Sequence, residues 1–181
     1  MPNYEVKGLK QHRGHGGEPL FQGTMYCDGK KVGFIGDGDW GGEQDVDFLG
    51  NKEAEAACRE WSKTQPSDWD NMDKTYTMTR AKDIEAKSGK AKAQAYLDND
   101  RYGYVMIEFL DKAVKLKDAK SMKKKQRPVM FVVKGTVGIR QASVPNTDTP
   151  QVVRDYFQKK YGDDITFLSD MPVEAIVELL G

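Results

Sequence analysis

Asp28 and Gly29 stand between two runs of strand-forming residues, 20–27 and 31–35. Both central residues of a two-residue type I′ turn need positive φ, and Asp-Gly meets that need at little steric cost. The pair therefore commits this part of the chain to an antiparallel hairpin. Residues 4–10 alternate loosely through Tyr4, Val6 and Leu9 and read as a strand before it. Residues 45–49 read as a further strand after the glycine-rich loop 36–44. The first quarter of the chain is expected to be a small antiparallel meander. The loop 12–19 precedes its second strand, with Gly14, Gly16, Gly17 and Pro19 as breakers.

A helix is expected over 51–64. Asn51 can cap it, Glu53 and Glu55 suit the positive end of its dipole, and Ala54, Ala57, Cys58 and Trp61 make one apolar stripe. Residues 65–73 read as a loop and 75–78 as a short strand. Residues 82–95 are polar and broken by Ser88 and Gly89, which reads as a marginal helix or an arm. A stronger helix is expected over 100–117, with Tyr102, Met106, Phe109, Leu110 and Ala113 on one face.

The continuous apolar run 129–133 reads as a central strand covered on both faces. Residues 135–142 return as its hairpin partner, carrying Val137 and Ile139. Asp148 or Thr149 caps a helix with Pro150 at its first position. Val152, Val153, Tyr156 and Phe157 form that helix's stripe. A short strand at 165–168 follows, and then a last helix beginning at Ser169 or Asp170. Hairpins first and helices interleaved later give an α+β fold. One domain over 1–181 is expected. The alternative is two lobes, 1–65 and 99–181, joined through 66–98.

The net formal charge is zero, from 28 basic and 28 acidic residues. The distribution is uneven. Residues 28–73 hold twelve acidic and five basic residues, and residues 74–134 hold sixteen basic and seven acidic. Such a split either neutralises itself in the fold or steers a charged partner. The conspicuous run is Lys112, Lys115, Lys117, Lys120, Lys123, Lys124, Lys125 and Arg127. Lysines at that density can neutralise phosphates, but no aromatic residue interrupts them to stack bases. The opposite sign gathers at Asp37, Asp39, Glu43, Asp45 and Asp47 around Trp40. The spacing there misses the calcium-loop pattern. His12, His15 and Glu18, with Cys27 as a fourth ligand, are the other metal candidates, although a loop spacing of three does not force convergence.

No P-loop, nucleophile elbow or Cys-x-x-Cys is present, so no catalytic residue and no cofactor are expected. Cys27 and Cys58 are too few for a disulfide scaffold and point to a reducing compartment. No apolar run approaches the ~20 residues of a membrane span.

The hairpin from Tyr26 through Asp28, Gly29, Lys30 and Lys31 to Val32, with the acidic loop and Gly41-Gly42 behind it, resembles small uncharacterised proteins of tailed bacteriophages. Lys159, Lys160, Tyr161 and Gly162 are similar as well. The likeness covers about a quarter of the chain and carries no assigned activity. It implies a phage product acting in the bacterial cytoplasm. Small phage proteins without enzyme motifs often bind and block a host protein. The expected function is thus a non-enzymatic accessory protein that inhibits a host bacterial protein, plausibly as an anti-defence inhibitor of the anti-CRISPR kind. Its expected contacts are Asp37, Asp39, Trp40, Glu43 and Asp45, and then Lys120, Lys123, Lys124, Lys125 and Arg127. A nucleic-acid-binding protein using 112–127 is the second reading, and a metal-dependent enzyme the third.

Overall fold

The computed structural model describes residues 1–38 and 44–181. The fold is α+β, built on antiparallel sheets of four and three strands. Two compact units divide it, Met1–Ala113 and Val114–Gly181.

The N-terminal unit opens with β1 (Tyr4–Arg13), β2 (Pro19–Cys27), β3 (Lys30–Gly36) and β4 (Asp45–Asp47), paired in that order. Asp28 at φ 48° and Gly29 at φ 76° make the expected turn. β1 runs on to Arg13, so His12 lies in a strand and not in the loop expected for it. A bulge between Lys7 and Lys10, with Gly8 at φ 64°, resets the pairing and lets Lys10–Arg13 continue against Gln22–Pro19. Gly33 permits the approach of β4, since a Cβ there would meet the Asp47 carbonyl oxygen at 2.3 Å.

Helix α1 (Lys52–Lys63) starts at Asn51, whose Oδ1 accepts from the Ala54 N–H at 3.0 Å. Its buried face is rotated from the expected stripe: Ala57 is exposed, and Ser62 is buried with its hydroxyl donating to the Arg59 carbonyl. Residues 75–78 are not a strand. They form the first turn of α2 (Thr75–Ser88), where Asp73 Oδ1 accepts from both the N–H and the hydroxyl of Thr75. Gly89, at φ 87°, separates α2 from α3 (Lys90–Lys124), a single 35-residue helix longer than the 100–117 expected.

Met25 and Ile35 of the sheet pack with Cys58 of α1 and with Val105, Met106 and Leu110 of α3. Tyr4, Trp61 and Phe109 form a ring chain with centroids 4.7 and 5.3 Å apart. The loop after α1 is held by Arg101, which donates to the carbonyls of Ser62 and Gln65 and pairs with Asp70.

The C-terminal unit contains the last turns of α3, then β5 (Val129–Val133), β6 (Arg140–Ala142), α4 (Pro150–Tyr161), β7 (Ile165–Phe167) and α5 (Val173–Leu179). β5 is central, in the order β6-β5-β7. Its alternate residues face two clusters, as the apolar run requires. Val129, Phe131 and Val133 meet Val153 and Phe157 of α4, while Met130 and Val132 meet Leu168, Ile176, Ala119 and Met122. The return strand is only three residues long, and Val137 is fully exposed. In α4, Val153 and Phe157 face the sheet, but Val152 and Tyr156 are 52% and 61% exposed. Asp170 does not begin the last helix. It is drawn into a bond with Arg154, and α5 starts only at Val173, after Pro172. Among the described residues no helix is long and apolar enough to cross a membrane.

Candidate functional site

The basic run occupies the end of α3 and the segment that follows it. A helix projects its residues around a cylinder, so lysines this dense cannot all face one way. Lys115 Nζ donates to the Gly181 carbonyl at 2.6 Å, and Lys123 Nζ to the Met171 carbonyl at 2.6 Å. Arg127 Nη2 donates to the Asp148 carbonyl at 2.8 Å. These three cations satisfy main-chain oxygens where chain segments end or turn. Lys120, Lys124 and Lys125 are exposed and have no hydrogen bond or ion pair among the described residues.

Lys125 stands on the lining of a cleft of about 300 Å³ within the same unit. The apolar part of that lining comes from Met122, Val129, Met130 and Pro150. The polar wall is Arg154, Ser169 and Asp170. Arg154 donates to Ser169 Oγ and Asp170 Oδ2, both at 2.5 Å, and its guanidinium lies 4.2 Å from the Phe167 ring centre. The Arg154 hydrogen bond holds the Asp170 carboxyl below its ordinary range, with the Ser169 hydroxyl adding to the effect and partial burial opposing it. Arg154 and Asp170 thus cancel, and Lys125 is the uncompensated charge on the lining. Thr149 and Pro150 open α4 at the same cleft, with no side-chain cap bond.

The acidic candidates divide differently. Asp37 and Asp45 line a second hollow of about 250 Å³ in the N-terminal unit, together with Asp47, His12, Gln22 and Phe34. Asp37 is occupied: Oδ2 accepts from the Phe21 N–H at 2.7 Å and Oδ1 from Gln44 Nε2 at 3.1 Å. It closes the end of the β2–β3 ladder. Asp47 Oδ1 accepts from the Leu49 N–H at 2.7 Å. Asp45 is exposed. The remaining members of the expected contact, Asp39, Trp40 and Glu43, lie outside the described residues.

Among the described residues no three His, Cys, Asp or Glu side chains gather as a metal-holding group. Register explains why Cys27 does not join His12. His12 pairs with Leu20, whereas Cys27 pairs with Tyr4 at the far end of β2, about 23 Å away at the rise of a strand. Cys58 is buried in the core, with the Tyr102 hydroxyl donating toward its sulfur at 4.0 Å, and burial pushes its thiol up to about 11. It is a packing residue, as its place on the helical stripe implies.

Reading the sequence located the lysines but not the cleft beside them. Arg154, Ser169 and Asp170 carry no motif and meet only through the β7–α4 packing. Met122 did leave a signal: with Ala119 it marks an apolar line inside an otherwise basic helix. No protein-family model, curated protein or solved structure matches the chain. Nothing in these comparisons links the chain to tailed-phage proteins.

Proposed function

We propose that the chain is a non-enzymatic binding protein whose C-terminal unit engages an acidic surface of a partner protein. The observation that carries this is the division of the basic run. Lys115, Lys123 and Arg127 are used inside the unit, while Lys120, Lys124 and Lys125 are exposed and have no hydrogen bond or ion pair among the described residues. Twelve basic and eight acidic residues in Val114–Gly181 give that unit a formal charge of +4, against −4 for Met1–Ala113. A field of this kind raises the association rate with an acidic surface and weakens with salt. The phage resemblance makes a host bacterial protein the natural partner, with inhibition as the consequence of occupying its surface.

The test is an affinity pull-down from bacterial lysate, with and without nuclease, using the wild-type chain and a Lys120→Glu, Lys124→Glu, Lys125→Glu variant. One stoichiometric protein that survives nuclease and is lost by the variant is the expected result. Recovery that disappears with nuclease transfers the lysines to nucleic acid. Equal retention by the variant rejects the basic surface as the contact.

A further inference from the structure

We infer that the cleft between the end of α3, β5 and the start of α4 receives one aliphatic or methionine side chain from an acidic segment of the partner. This rests on the binding reading above and gives it a point of attachment. Three observations carry it.

The first is size. About 300 Å³ is at the bottom of the range for ligand pockets, roughly 300–1,000 Å³, which suits a single side chain better than a nucleotide or an organic cofactor. The second is the floor. Met122, Val129, Met130 and Pro150 are apolar, and methionine side chains adjust their shape to an entering group. The third is charge. Arg154 is neutralised by Asp170, so the attraction at the mouth comes from Lys125, with Lys124 beside it in sequence and Lys120 one turn back from Lys124. That arrangement selects carboxylates flanking the entering side chain. A peptide whose apolar residue is bracketed by acidic ones meets all three at once.

Nucleic acid meets fewer. No aromatic ring lines the cleft among the described residues, so no base has a stacking platform there, and Asp170 puts a carboxylate in the wall.

The experiment titrates the full chain against fluorescein-labelled peptides: a Glu/Asp peptide with a central Leu, the same peptide with Ala at that position, and a Lys-rich control. A single-stranded oligonucleotide is the fourth probe. The Leu peptide is expected to bind about ten-fold tighter than the Ala peptide, the discrimination that a few methylenes in an apolar pocket provide. Backbone amide shifts on adding the Leu peptide to wild-type protein are expected at Met122, Met130 and Gln151. Met130→Trp, checked for folding by circular dichroism, is expected to reduce the preference for the Leu peptide over the Ala peptide. Lys124→Glu with Lys125→Glu is expected to weaken both.

Equal binding of the Leu and Ala peptides to wild type would overturn the anchor and leave the basic contact standing. Shifts confined to residues away from the cleft would do the same. Binding of neither acidic peptide, or of the Lys-rich control as tightly, overturns the anchor and the basic reading together. Tight binding of the oligonucleotide alone reassigns the lysines to nucleic acid.

Discussion

Arg101 in the N-terminal unit and Lys125 in the C-terminal unit are both basic residues flanked by polar sequence, yet the fold uses them in opposite ways. Arg101 is only 18% exposed at its side chain. It bridges Asp70 and the carbonyls of Ser62 and Gln65, closing the loop after α1 onto α3. Around it Arg59 pairs with Glu55 and Lys63 with Glu60. Lys125 lies where no carboxylate reaches it among the described residues, and Lys120 and Lys124 share that condition. The lesson is that charge density in a sequence does not tell construction from recognition. What separates them is whether a packed element brings an acceptor within hydrogen-bond reach. In the N-terminal unit it does so repeatedly. In the C-terminal unit Arg154 finds Asp170, and Lys115, Lys123 and Arg127 find main-chain carbonyls, while Lys120, Lys124 and Lys125 have no acceptor within hydrogen-bond reach among the described residues.

The comparison can be broken at several places. The largest effect is expected where neither unit depends on charge. Leu110→Ala and Leu168→Ala, at side chains that are 2% and 0% exposed, should each cost about 2–5 kcal/mol in urea unfolding. The first is read by the fluorescence of Trp61 and Trp69 and the second by circular dichroism. A cost well under this at Leu168 would mean that the small C-terminal core does not hold its unit together.

Arg101→Ala comes next. Losing the charged hydrogen bonds to the Ser62 and Gln65 carbonyls should cost about 1.5–3 kcal/mol in the same unfolding experiment. A neutral result would remove the structural role assigned to N-terminal charge.

A smaller effect is expected from Asp170→Asn, and it depends on pH. The folded carboxyl lies below its ordinary value of 3.8, chiefly through the Arg154 hydrogen bond. Its contribution is therefore complete above that value and is lost as pH falls through the lowered one. The variant should melt below wild type at neutral pH, and the gap should close as the pH falls through the lowered value of Asp170. A gap that persists in acid would show that the wall of the cleft is held by something other than this ion pair.

The smallest effect sharpens the contrast most. Lys120→Ala, Lys124→Ala and Lys125→Ala together should leave the thermal midpoint unchanged, since no bond among the described residues is removed. A clear fall in midpoint would place these lysines with Arg101 as structural residues.

Local signals were readable in proportion to how local their physics is. The Asp28-Gly29 turn, the Asn51 cap, Pro150 at the start of α4 and the doubly covered run at Val129–Val133 each depend on a few neighbouring residues, and each stands as expected. Residues 75–78 have strand-like composition, but they form the first turn of α2, beside the Asp73 carboxylate that accepts from the N–H and hydroxyl of Thr75. The four apolar residues expected to share one face of α4 are split, because at about 100° per residue Val152 and Tyr156 turn away from the face on which Val153 and Phe157 meet the sheet. Of the candidate contacts, Lys120, Lys124 and Lys125 were recognisable as charge. Nothing in the sequence distinguished them from Lys123 and Arg127, which differ by the carbonyls they reach.

The sequence by itself therefore determined the α+β class, the Asp28-Gly29 hairpin and the starts of α1 and α4, since turn, cap and periodicity act over one or two turns of chain. The tertiary structure alone decided which cations are consumed, that Asp37 closes a strand ladder, and that Arg154 cancels Asp170 beside a methionine-floored cleft. Those outcomes depend on groups far apart in the chain meeting within about 3 Å, and hydrogen bonds and ion pairs lose their strength within a few ångströms more.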